Sequence, residues 1–144
     1  MKLVVQQARF DRALKRFMKK VEMAPGTIAK RIALELFTSI VQMTPVDTGR
    51  ARASWTIAVG EPNRSIKPVG IYGDALAESV SIAVSTLALY GRNPKERLLS
   101  IWISNNLPYI VELEHGSSRK APRGMVAVSL NRMAVKMNDM VPEL

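Results

Sequence analysis

Cysteine is missing from this 144-residue chain, and histidine occurs once, at His115. The first absence excludes disulfides, thiolate nucleophiles and cysteine-ligated metals, and it withholds support from a secreted disulfide scaffold, so an intracellular origin is the expectation. The second excludes a histidine-rich metal site within one chain. No stretch approaches the roughly 20 apolar residues that span a bilayer, and Met1-Lys2-Leu3-Val4-Val5 meets polar Gln6, Gln7 and Arg9 without a long apolar run. Neither signal peptide nor transmembrane helix is predicted, and no membrane partner. A phosphate loop is also lacking: Gly70-Ile71-Tyr72-Gly73 has neither dinucleotide-fingerprint spacing nor a Walker lysine, and reads as a turn. Asn63-Arg64-Ser65 matches a glycosylation sequon, a chance match where no secretory signal accompanies it. There is no internal repeat and no low-complexity tract.

What is present is an ordinary globular composition, 47% hydrophobic and 23% charged, on a length suited to one domain spanning 1–144. The net charge of +9 is unevenly placed. Residues 1–52 hold eleven Lys/Arg against four Asp/Glu, while residues 53–144 hold ten against eight. An N-terminal basic field attracts a phosphate backbone, an anionic membrane or an acidic protein surface, because long-range attraction distinguishes sign before chemistry.

Hydrophobic periodicity predicts the elements. Phe10, Leu14, Phe17, Met18 and Val21 recur at helical spacing from Gln7 to Glu22, with Arg12, Lys15, Arg16, Lys19 and Lys20 between them, which is an amphipathic basic helix. Ala24-Pro25-Gly26 interrupts it, and Thr27 can cap a second helix over Ile28 to Met43 whose broad apolar stripe suits the centre of a core. Pro45 to Arg50 is a turn or cap cluster in which the Asp47 and Thr48 oxygens can accept backbone N–H bonds. Trp55, Ile57 and Val59 alternate as a half-buried strand does, and two prolines and three glycines make residues 60–74 a mobile loop. Leu76, Val80, Val84 and Leu87 predict a helix, stopped by Gly91-Arg92-Asn93-Pro94. Arg97 to Ser104 is a second strand, with Leu99, Ile101 and Ile103 on one side and Trp102 on the other. Pro108 opens a short helix ended by Gly116; residues 116–124 form a second mobile loop, and Met125 to Met140 a last helix. The fold class is α+β: long N-terminal helices, a small antiparallel sheet, then a short helix, a loop and a C-terminal helix. Trp55 and Trp102 are expected to pack the core.

No catalytic constellation emerges, and a non-enzymatic role without cofactor or metal is predicted. Glu112 and Glu114 are two apart and face different sides of a helix, so they do not make a carboxylate pair. His115, near a helix C-terminus, lacks convergent partners and reads as structural or interfacial. The basic first helix has three readings: a solvated face, the lining of a DNA passage, or a contact with an acidic neighbour. Its Phe10 and Phe17 lie on the apolar stripe, which disfavours base stacking. The loop Gly116 to Gly124, with glycine hinges and the cations Arg119, Lys120 and Arg123, is either a solvent loop or a segment that orders against a partner.

Two segments carry a resemblance. Thr44-Pro45-Val46-Asp47-Thr48-Gly49-Arg50-Ala51-Arg52-Ala53-Ser54-Trp55 is one. The other runs from Ile103-Ser104-Asn105-Asn106-Leu107-Pro108-Tyr109 through Leu113-Glu114-His115-Gly116 to Ala121-Pro122-Arg123-Gly124-Met125-Val126. In residue identity, order and spacing they resemble the neck or tail-completion (head-tail joining) proteins of tailed bacteriophages, over about a third of the chain. The resemblance implies an α+β protomer that forms a ring joining head to tail around the DNA channel. It implies self-association, neighbouring head-closure, adaptor or tail proteins, nonspecific contact with genomic DNA, and a place in the virion, assembled in the bacterial cytoplasm. Glu114, His115, Arg119, Lys120 and Arg123 are then the expected subunit-interface residues, and Arg12, Lys15, Arg16, Lys19 and Lys20 the expected channel-facing set. The alternative is a basic nucleic-acid-binding accessory protein acting through the first helix.

Overall fold

The computed structural model describes residues 2–21, 25–88, 90, 100–116, 118, 119, 121 and 123–140. The predicted stop at Gly91 to Pro94, the strand residues Arg97 to Leu99 and the loop cation Lys120 lie outside them. The described elements are α1 (Lys2–Lys20), α2 (Pro25–Met43), α3 (Arg50–Ala53), β1 (Thr56–Val59), α4 (Leu76–Leu87), β2 (Ile101–Ser104), α5 (Ile110–Glu114) and α6 (Val126–Met140). This is the expected α+β class.

α2 begins three residues before the sequence signals placed it. Pro25, whose fixed φ suits the first helical position, is already helical, and Thr27 sits inside the first turn instead of capping it. The helix then serves two clusters at once. Phe37, Ile40 and Val41 join Trp55, Ile57, Leu87, Leu107, Ile110 and Met125 in one. Ile28, Ile32 and Leu36 join Phe17, Met133 and Met137 in the other. Two apolar faces on one helix are what a broad stripe requires. Each fully buried side chain of this size contributes about 1.5–3 kcal/mol of transfer free energy.

α1 packs chiefly on α6, with Ala13 (2% exposed) and Ala134 (0%) both in the second cluster, where small side chains let two helices approach. Met18, expected on that stripe, is 42% exposed, and Ala13 takes the buried place. Met125, just before α6, and Met133 and Met137 on it are core, whereas Met140 is largely exposed. α4 buries Ser79, Ala83 and Leu87 in place of the expected Val84, which is 48% exposed. Small residues win that face because α4 lies close against α2.

The two strands pair antiparallel, Ile57 opposite Ile103 and Ala58 opposite Trp102, and Gly60 N–H extends the ladder to the Ser100 carbonyl at 2.8 Å. Two four-residue strands do not hold alone; here they are backed by α2 and α4. Trp55 is buried as expected. Trp102 is not: it is 43% exposed, on the strand face away from the core, and its indole N–H donates to the Gly60 carbonyl at 3.0 Å.

Candidate assembly surface and basic helix

The first family-like segment folds into a latch around the end of α2. Thr44 Oγ1 donates to the Ile40 carbonyl at 2.7 Å and accepts the Trp55 indole N–H at 2.8 Å, with Thr44 only 1% exposed. Arg52 reaches the carbonyls that α2 leaves unpaired, Nη2 to Gln42 at 2.9 Å and Nε to Thr44 at 2.9 Å. Its remaining nitrogen, Nη1, pairs with Asp74 Oδ1 at 2.7 Å, and the same oxygen accepts the Leu76 N–H at 3.1 Å where α4 starts. The Leu76 N–H bond, followed by the Arg52 guanidinium, holds the Asp74 carboxyl below its ordinary 3.8. One arginine thus ties the end of one helix to the start of another. Gly49 has φ +85, and a Cβ there would collide with the backbone of Gly73. That close approach lets the Thr48 carbonyl accept from Tyr72 N–H (2.6 Å) and Gly73 N–H (3.0 Å). Of the expected cap oxygens only Thr48 acts, accepting the Arg50 N–H at 3.3 Å.

The second segment is stitched to the first. Asn105 Nδ2 donates to the Ala51 carbonyl at 3.0 Å while its Oδ1 accepts the Leu107 N–H at 3.1 Å. Asn106 Nδ2 donates to the carbonyls of Asn63 (2.7 Å) and Ser65 (3.0 Å), fixing the long connection after β1. Beyond α5, the Glu114 carboxylate caps α6. Oε1 accepts the N–H groups of Met125 (2.9 Å) and Val126 (2.8 Å), and Oε2 that of Ala127 (2.9 Å). A negative group receiving three orphan donors at a helix N-terminus is a favourable arrangement both as hydrogen bonding and against the helix dipole.

The expected interface set therefore divides. Glu114 is half-buried, with both carboxylate oxygens bonded within its own protomer. His115 is exposed at the end of α5, and Arg119 and Arg123 are exposed on the following loop. Beside them the two segments enclose a cleft of about 270 Å³, lined by Pro45, Asp47, Thr48, Arg50, Tyr109 and Leu113 among others. The sequence alone did not reveal the Arg52–Asp74 link or the asparagine bridges; the concentration of polar residues inside both segments was the available signal.

The five expected channel residues, Arg12, Lys15, Arg16, Lys19 and Lys20, are all exposed and share one arc of α1, opposite the stripe that holds Ala13 and Phe17. Arg9, next to that arc, donates to Asn131 Oδ1 of α6 at 2.8 Å. Asp11 is the sole acid of α1. Among the described residues no group of three or more His, Cys, Asp or Glu is placed to hold a metal ion, and no helix is long and apolar enough to cross a membrane. Comparison with protein-family models, curated proteins and solved structures finds no match to this chain.

Proposed function

We propose that the protein is a non-enzymatic structural component of a tailed-phage neck or tail top, a ring subunit that joins head to tail around the DNA channel. The observation that carries this reading is the convergence of the two family-like segments, Thr44 to Trp55 and Ile103 to Val126, which are well apart in the chain, onto one surface through the Asn105–Ala51 bond and the shared cleft. Their polar residues are spent on holding backbone, as a rigid assembly module requires, and not on presenting reactive groups. The exposed Arg119 and Arg123, with Lys120 between them in sequence, supply cations for the next subunit or an adjacent head-closure, adaptor or tail protein. Rings arise when one face of a protomer meets a different face of its neighbour. The basic arc of α1 adds diffuse attraction for genomic DNA without base readout.

The test is made in assembled particles. Electron microscopy of virions carrying a label on this subunit is expected to place it between head and tail, and charge reversal at Arg119, Lys120 and Arg123 together is expected to empty that position. A label found elsewhere, or full occupancy after reversal, sinks the neck reading or the loop contact respectively. The second reading, a nucleic-acid-binding accessory protein, is favoured by the same basic arc. It wins if the isolated protein binds duplex DNA tightly and with sequence preference.

A further inference from the structure

Three aliphatic side chains stand out of the protein on the connection between β1 and α4: Ile66 is 53% exposed, Val69 86% and Ile71 90%. Scattered exposed aliphatics are ordinary, whereas neighbouring ones at this exposure mark contact surfaces. The connection is held at defined points. Asn106 grips the Asn63 and Ser65 carbonyls, Arg50 Nε donates to the Lys67 carbonyl at 2.9 Å, and Thr48 receives the Tyr72 and Gly73 N–H groups. Val69 and Ile71 are thus presented on an anchored arm.

A complementary groove lies elsewhere on the chain. Phe10, Leu14 and Met18 of α1, Ile28 and Ile32 of α2 and Ile103 of β2 line an apolar recess of about 270 Å³. That is below the roughly 300–1,000 Å³ typical of small-molecule sites and suits a pair of side chains. The arm is anchored past the C-terminal end of α2, while the groove is centred on its first half; Ile28 and Met43 are separated by about 22 Å of helix. Arm and groove of one chain do not meet.

We infer that Val69 and Ile71 of one copy seat in the α1–α2–β2 groove of a second copy, a head-to-tail contact. Charge supports the same occupant. Asp11 is exposed on the helix side of Leu14 and Met18, which line the groove, and has no hydrogen bond or ion pair among the described residues. Lys67, two residues before Val69, has its ammonium over the Tyr72 ring at 5.7 Å from the centroid, on the arm that would approach Asp11. A contact between unlike faces propagates, closing into a ring or extending as a filament. Only closure rests on the neck reading; the contact itself does not.

The cysteine-free chain makes the test direct. Val69→Cys and Met18→Cys, made as separate proteins, are mixed and oxidised, with sedimentation run over a concentration series. The expected result is a mixed disulfide dimer, a ladder of multimers from the double variant, and at least about a tenfold weaker self-association for Ile71→Asp. Since Ile71 is 90% exposed, that variant leaves the fold intact, which circular dichroism checks. Asp11→Lys is expected to weaken association and Lys67→Asp in the same chain to restore it. Val69–Val69 dimers in place of mixed ones overturn the contact in favour of a symmetric one. Oligomers without the mixed disulfide overturn it while leaving a ring possible through other surfaces. A monomer throughout the series overturns it as well, and leaves the neck reading to particle imaging.

Discussion

Gly124 and the Glu114 carboxylate fit together only because residue 124 has no side chain. Gly124 sits at φ +84, and a Cβ there would fall 2.8 Å from the Glu114 carboxyl carbon and would meet the Glu114 carbonyl oxygen closer still. The turn into α6 and the cap that starts it are one device.

Gly124→Ala is accordingly expected to destabilise by more than about 2 kcal/mol, since it adds both left-handed strain and a backbone collision. Glu114→Gln keeps the size but turns an NH2 toward an N–H that needs an acceptor, and is expected to cost about 1–3 kcal/mol. Urea denaturation of each variant measures both. A change within experimental error for either would remove the cap from the account of α6.

Thr44 and Trp55 give a second stability prediction. Thr44→Val removes the acceptor of a buried indole N–H at nearly constant volume, with an expected loss of about 1–3 kcal/mol. The two tryptophans also separate optically. A Trp55→Phe variant, left with Trp102, is expected to show fluorescence readily quenched by acrylamide, and a Trp102→Phe variant fluorescence that is shielded. Equal quenching would contradict the exposed position of Trp102.

The Arg52–Asp74–Leu76 link makes a pH prediction. The folded Asp74 carboxyl titrates below its usual 3.8, so its contribution is present above that value and is lost as pH falls through the lower folded value. Wild type is expected to exceed Asp74→Asn in stability at pH 7, with the gap closing only as pH drops below about 4. Chemical denaturation of the pair at several pH values reads this; a gap that widens on acidification would have the wrong sign.

The basic arc of α1 spans about 12 Å from Arg12 to Lys20, the axial rise of three to four nucleotides of one strand. Duplex binding is expected to be weak, indifferent to sequence and steeply salt-dependent, with log K falling by about 0.9 per neutralised phosphate for each unit of log salt. Replacing Arg12, Lys15, Arg16, Lys19 and Lys20 by Gln is expected to flatten that slope while leaving thermal stability nearly unchanged, because all five are exposed. Fluorescence anisotropy across a salt series distinguishes this from a specific binder, whose affinity would depend on sequence.

Much of the fold was legible because burial imposes a period on the chain. The stripes of α1, α2 and α6 and the alternation at Trp55, Ile57 and Val59 carried the class and the element order. Where the period misled, size decided: Ala13, Ser79 and Ala83 are buried because helices pack closely there, and Met18 and Val84 are left outside. Trp102 is on the outer face of a two-stranded sheet, and no sequence pattern says which face is covered.

By itself the sequence determined the α+β class, the basic first helix and the two polar-rich segments, since composition, periodicity and local spacing are properties of neighbours along the chain. Tertiary structure alone decided what those segments do. It brought Asn105 to Ala51, Arg52 to Asp74 and Glu114 to the start of α6, and it set Val69 and Ile71 on an anchored arm away from the apolar groove. Unpaired backbone groups at helix ends need partners wherever the fold leaves them, and which side chain answers depends on distance in space, which sequence separation does not record.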